Sequence, residues 1–183
     1  MGHSMGGMIA VKTAIDAPTL WNGVILSGPL IVPDPNVATP LKRTLAKMVS
    51  RWLPKLTLDA LDAEEISKDP AVVSAYLNDP LVYRGGFRAR WAAEVMMTLD
   101  EFELAFKRWT IPFIIQHGSM DKMCMPSGSK KFHAETATDA KDKSIIVYDG
   151  LRHEIYNEDF KRDASTLVNQ PIRDAVSWAV SML

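Results

Sequence analysis

A chain of 183 residues with an apolar fraction of 47% falls within the size of one domain and can bury a sizeable core. Its 21 basic and 22 acidic side chains leave a net charge of -1, so no bulk electrostatic argument favours nucleic acid as a partner. The single cysteine, Cys124, excludes an internal disulfide and a Cys-rich zinc site and fits a reducing, cytoplasmic setting; no signal peptide and no apolar run of membrane-spanning length is visible.

The chain begins Met1-Gly2-His3-Ser4-Met5-Gly6-Gly7, a serine inside Gly-x-Ser-x-Gly at the mouth of an apolar helix. This is the pattern of a nucleophile elbow, where a strand turns sharply into a helix and the serine side chain is thrust out at the bend. Glycine is expected at positions 2 and 6 because the strained turn brings backbone segments too close for side chains. Residues 5–17 read as a helix ended by Ala17-Pro18. Within residues 23–26, Val24-Ile25-Leu26 reads as a buried parallel strand, which Ser27-Gly28-Pro29 stops.

Residues 30–109 change in character: helical stretches are separated by prolines, and no run reads convincingly as a strand. Helices inserted between two strands of an α/β sheet form a cap over the strand ends, where such sheets bind ligands. Within this stretch, residues 37–55 carry Leu41, Leu45, Met48, Val49 and Trp52 at helical spacing, with Lys42, Arg43, Lys47, Arg51 and Lys55 between them. A basic amphipathic helix of this type either lies in a membrane interface or packs its apolar side on the body of the protein.

A second strand is predicted over residues 111–116, a helix over 127–136, a third strand over 144–148 and a final helix over 171–182. Strands alternating with helices imply a parallel sheet. A serine hydroxyl needs a base to take its proton and a carboxylate to orient that base. In α/β-hydrolases these follow in the order Ser, Asp or Glu, His, and Ser4, Asp121 and His153 obey it. Asp121 and His153 each stand just past a predicted strand, on the same sheet edge as the elbow.

His3 is expected to point away from the Ser4 hydroxyl, His117 to close a strand end and His133 to lie on an exposed helix. His153-Glu154-x-x-Asn157 lacks the second histidine of HExxH, so neither a metal nor a cofactor is expected. One donor for an oxyanion comes with the elbow, the backbone N–H of Met5.

With these residues in place, the chain resembles the monoacylglycerol lipase family of the α/β-hydrolase superfamily. The matching stretches are Gly2 to Gly7, Leu26-Ser27-Gly28-Pro29-Leu30, Leu53-Pro54-Lys55-Leu56-Thr57-Leu58, Asn78-Asp79-Pro80-Leu81, Pro112 to Cys124, and Gly150-Leu151-Arg152-His153. The resemblance implies an α/β-hydrolase fold with a helical cap at about residues 30–109. It also implies Ser4 as nucleophile, Asp121 as acid, His153 as base, and a lipid ester, a monoacylglycerol, as substrate. Cys124, three residues after Asp121, is then expected beside the site, either as a target of thiol reagents or as a small buried filler.

The stretch Glu154 to Glu158 also resembles lysophospholipases, so lysophospholipase or general carboxylesterase activity is the alternative. A non-catalytic lipid-binding module is the alternative of another class. Family members carry further strands before the elbow and a His-Gly loop that supplies a second oxyanion donor, and both are missing from this sequence. What the resemblance leaves is the C-terminal portion of the sheet, with β-strand 23–26 deprived of its neighbour. A chain of these residues is therefore expected to be weakly active or inactive unless an N-terminal portion is restored.

Overall fold

The computed structural model describes residues 1–32, 44, 48–58, 60–139, 141–158 and 169–182. Four parallel strands form one sheet in the order β1 (Gly2–His3), β2 (Val24–Ser27), β3 (Phe113–Gly118) and β4 (Lys143–Tyr148). Helix α1 (Met5–Asp16) links β1 to β2, α4 (Pro126–Glu135) links β3 to β4, and α5 (Gln170–Ser181) follows β4. Between β2 and β3 lie α2 (Pro70–Asn78) and α3 (Ala89–Ala105), and the described residues of that stretch pair only through an isolated bridge between Thr57 and Arg88.

Gly2 and His3 pair in parallel with Leu26 and Ser27, so β2 does have a neighbour on the elbow side, contrary to the sequence expectation. Two residues suffice because the following amide continues the ladder: the Ser4 N–H donates to the Ser27 carbonyl at 3.0 Å. β3 runs two residues beyond the predicted apolar segment. His117 and Gly118 are strand residues, paired with Val147 and Tyr148.

Register explains the core. Val24 and Leu26 stand beside Phe113 and Ile115, and Ile115 beside Ile145, so these side chains share one face of the pleat. That face meets Met8, Val11 and Ala14 of α1, Val95, Leu99 and Phe102 of α3, and Phe132 of α4 in one apolar cluster. Phe113 and Phe132 are fully buried with ring centroids 5.0 Å apart, and truncating either to alanine is expected to cost about 3–5 kcal/mol.

The opposite face carries Gln116 and Tyr148, whose polar tips are paired toward α5. Gln116 Nε2 donates to Tyr148 Oη at 2.6 Å and to the Pro171 carbonyl at 2.7 Å, and Tyr148 Oη donates to Asp174 at 2.8 Å. α5 starts where Asn169 accepts the Ile172 N–H at 3.1 Å, with Pro171 in its first turn.

The basic amphipathic segment 37–55 lies largely outside the described residues; within it, residues 48–52 are helical. Among the described residues no helix is long and apolar enough to cross a membrane.

Candidate active site

In a parallel sheet every strand ends at the same edge, and the segments leaving that edge can meet. Ser4 follows β1, Gly28 follows β2, Asp121 follows β3 and His153 follows β4. The sequence places its chemistry-bearing residues on four successive exits.

Ser4 occupies φ 54°, ψ -123°, a positive φ found at no other non-glycine residue among those described. Such a conformation costs on the order of 1–3 kcal/mol and persists only where the surroundings enforce it. Here the Ser4 N–H is held by Ser27, and its carbonyl accepts the N–H groups of Gly7 at 2.9 Å and Leu30 at 3.0 Å. The glycines that permit the turn are Gly2 and Gly7. A Cβ at Gly2 would lie 2.3 Å from the Gly6 carbonyl oxygen, and one at Gly7 would lie 2.6 Å from Pro29 Cβ. Gly6, expected to be sterically required, faces open space and contributes only backbone. Met5 is the first residue of α1 and has no helical carbonyl four residues back to accept its N–H.

Asp121 is buried and all its lone pairs are directed. Oδ1 accepts the N–H groups of Met123 and Cys124, both at 2.9 Å, while Oδ2 lies 2.8 Å from His153 Nδ1 and 3.1 Å from His117 Nε2. Burial alone would push this carboxyl up; the hydrogen bonds from His117, His153 and the Cys124 amide outweigh it and hold the group below the usual carboxylate range. Facing that anion, His153 carries its proton on Nδ1, which leaves Nε2 to act as a base. Gly28, at φ 47°, backs this pair: a Cβ there would lie 3.3 Å from both Asp121 Oδ2 and His153 Nδ1.

Ser4 Oγ lies 4.0 Å from Cys124 Sγ, and no hydrogen bond joins it to His153 among the described residues. The structure thus pairs Asp121 with His153 and leaves the serine hydroxyl turned toward the thiol. A base-to-nucleophile hydrogen bond is often loose without substrate and forms by a side-chain rotation. Burial, then the charge of Asp121, pushes the Cys124 thiol up to about 12.

Three side chains take places that the sequence did not reveal. The ring of His3 lies 4.7 Å from that of His153 at 46°, and its Nδ1–H donates to the Ser27 carbonyl at 3.0 Å. Burial, then the neighbouring His153, pushes the His3 imidazole below its ordinary value. His117 reaches Asp121 instead of merely closing a strand. Glu158 is buried and accepts the backbone N–H groups of Lys68 and of Arg152, the residue before His153, the latter at 2.9 Å. His133 is half-buried on α4 with its ring edge-on to Phe113.

The family described as serine aminopeptidase, S33 matches residues 1–159. Monoglyceride lipase of Mus musculus is 30% identical over 178 residues, covering 97% of this chain and 56% of that protein. Monoacylglycerol lipase of Mycolicibacterium smegmatis is 32% identical over 183 residues, covering 100% of this chain and 62% of that protein. Among solved structures, Paleococcus ferrophilus monoacylglycerol lipase superposes with a TM-score of 0.83 at 28% identity, over 100% of this chain and 67% of that one. A soluble variant of monoglyceride lipase from Saccharomyces cerevisiae, bound to a substrate analogue, superposes with a TM-score of 0.79 at 27% identity, over 100% of this chain and 64% of that one. The chain spans little more than half the length of the curated relatives it matches.

Proposed function

The chain belongs to the hydrolase family described as serine aminopeptidase, S33, whose fold is that of the α/β-hydrolases, and on that premise we propose that its chemistry is hydrolysis of monoacylglycerols to fatty acid and glycerol. The observation that carries the reading is the 2.8 Å hydrogen bond between Asp121 and His153 at the sheet edge that also holds the strained Ser4. The relatives named above are monoacylglycerol lipases, and the likeness extends over 97–100% of this chain.

In this mechanism His153 Nε2 takes the Ser4 hydroxyl proton as Oγ attacks the ester carbonyl carbon, and the Met5 N–H donates to the developing oxyanion. The tetrahedral intermediate collapses as the His153 imidazolium protonates the departing glycerol oxygen, leaving an acyl group on Ser4. His153 then deprotonates a water molecule that attacks the acyl carbonyl, and Ser4 is regenerated with release of the fatty acid. Asp121 stays ionised throughout and balances the imidazolium.

The stretch at about residues 30–109 serves as a cap over the strand ends. While Val95, Leu99 and Phe102 of this stretch pack into the core, other apolar side chains of it are exposed, Trp52 at 79% and Leu81 at 92%. Exposure of this size beside Arg51 and Lys55 favours peripheral contact with a lipid surface, from which a monoacylglycerol would be drawn.

The test is labelling with a fluorophosphonate of the purified protein with an N-terminal portion restored ahead of the elbow, with turnover of monoacylglycerol, lysophosphatidylcholine and a short nitrophenyl ester measured side by side. We expect an adduct on Ser4 that Ser4→Ala abolishes, with monoacylglycerol the preferred ester. Preference for lysophosphatidylcholine would move the assignment to a lysophospholipase. Absence of any adduct while lipid binding persists would replace the hydrolase reading with a binding module.

A further inference from the structure

His117 is fully buried at the end of β3, and both of its ring nitrogens are engaged. Nε2 lies 2.6 Å from the Cys124 carbonyl oxygen and 3.1 Å from Asp121 Oδ2. A carbonyl can only accept, so Nε2 bears a proton, and the one N–H is shared between the two oxygens. Nδ1 lies 2.8 Å from Ser129 Oγ, itself fully buried in α4. The ring therefore joins the strand, the loop from Asp121 to Cys124 and the helix that follows.

Asp121 Oδ2 stands between two imidazoles, with His153 on one side and His117 on the other. A side chain needed only to fill this space would not have to be polar, and a polar one buried without partners would be costly. Every polar atom of His117 instead finds a partner, and one partner is the carboxylate that orients the base. We propose that His117 is a positioning residue for the hydrolytic reaction, a second histidine on Asp121 that fixes the plane of the carboxylate and draws charge from the oxygen facing His153. By holding the Cys124 carbonyl, it also sets the distance between Cys124 Sγ and Ser4 Oγ, now 4.0 Å.

The electronic consequence has a definite sign. A carboxylate oxygen shared between two donors is a weaker base than one with a single donor, so it holds the His153 proton less tightly. Without His117, Asp121 Oδ2 would accept the His153 Nδ1–H alone, and that hydrogen bond would tighten. In catalysis, loss of a charge-assisted hydrogen bond of this type corresponds to about a 10- to 100-fold fall in rate.

This inference rests on reading Asp121 and His153 as acid and base, so the test carries one readout that needs no activity. In the whole protein, His117→Leu, His117→Gln and Ser129→Ala are compared with the parent by two measurements. The first is the far-downfield proton resonance of the His153 Nδ1–H. The second is the rate of fluorophosphonate labelling and ester turnover. His117→Leu is expected to shift the resonance downfield and lower kcat about 10- to 100-fold with KM changed by less than about twofold. His117→Gln, which keeps an N–H toward the same oxygens, is expected to restore most of the rate. Ser129→Ala leaves the ring in place and is expected to move the resonance in the same direction by less. An unmoved resonance in both His117→Leu and Ser129→Ala would overturn the proposal, as would full activity in folded His117→Leu. If the parent protein shows the resonance and its shift but never labels at Ser4, the hydrolase reading fails while the role of His117 in holding Asp121 stands.

Discussion

A Cβ on Gly118 would lie 2.1 Å from the Arg152 carbonyl oxygen and 2.4 Å from that of Leu151, so the last residue of β3 and the loop carrying His153 meet backbone to backbone. The same approach brings the Met120 N–H to the Leu151 carbonyl at 2.9 Å and the Ser119 N–H to that of Tyr148 at 2.9 Å. These contacts set how near His153 stands to Asp121.

Gly118→Ala would therefore act on the site from outside it. The methyl group cannot be accommodated by rotating a side chain, because what it meets is backbone, and the loop must shift. Overpacking of this kind costs about 1–3 kcal/mol. The larger effect is expected on chemistry, since a displacement of about 1 Å in a catalytic group can lower the rate about 100-fold. Fluorophosphonate labelling of the variant, read beside its thermal midpoint, checks this. A labelling rate equal to that of the parent would show that the loop's position does not govern the pair.

The contrast between what the sequence announces and what it conceals follows from the kind of contact involved. Ser4, Asp121 and His153 are readable because a strained elbow demands glycines at fixed offsets and because the two partners follow strands in an order that α/β-hydrolases share. Three of the four parallel strands are readable from short runs between helices, at residues 23–26, 111–116 and 144–148, whereas β1 is not, because it is only Gly2 and His3 and shows no apolar run. His117 is concealed because a search for apolar runs ends at Gln116, whereas pairing with β4 carries the strand to Gly118. Gly28 backs the Asp121–His153 pair only through the register of β2 against β3, and Gly7 is required only because Pro29 folds back onto it. No local pattern encodes such meetings of distant segments. Glu158 lies in a stretch whose letters resemble those of lysophospholipases, yet its carboxylate is occupied with backbone of two segments.

The buried thiol gives a pH-dependent prediction. An ordinary cysteine titrates at 9.0, whereas Cys124 is raised to about 12 by burial and then by the charge of Asp121. At pH 8 the folded protein would carry a thiolate fraction of roughly one in ten thousand, against roughly one in ten for the unfolded chain. Iodoacetamide at pH 8 should therefore modify the native protein about a thousandfold more slowly than the protein in denaturant. The stability effect has a fixed sign. Between pH 9 and 12 the folded state keeps this proton and the unfolded state has lost it, so stability falls as pH rises through that window. Rapid modification of the native protein at pH 8 would contradict the raised titration.

Residues 64–68 and the loop that carries His153 are joined through Glu158. One carboxylate oxygen accepts the Lys68 N–H and the other the Arg152 N–H, while the Glu154 N–H donates to the Ile66 carbonyl at 2.9 Å. The Arg152 guanidinium reaches the Glu64 carbonyl, and Lys122 beside Asp121 pairs with Glu65 at 2.8 Å. Residues 64–68 of the proposed cap therefore touch both loops that carry Asp121 and His153. The Lys122–Glu65 pair is exposed on its lysine side, and breaking it should change stability by less than about 1 kcal/mol. Glu158 is different, because it is itself buried and its removal takes the acceptor from two partly buried backbone amides. Glu158→Ala is expected to cost about 1–3 kcal/mol and to raise hydrogen exchange at Lys68 and Arg152 together. Glu158→Gln keeps one acceptor oxygen but turns an NH2 group toward the second amide, so it should protect one site and expose the other. If Glu158→Ala speeds exchange at Lys68 and leaves Arg152 unchanged, the cap segment and the His153 loop move independently, and motion of the cap is not transmitted to the base by this route.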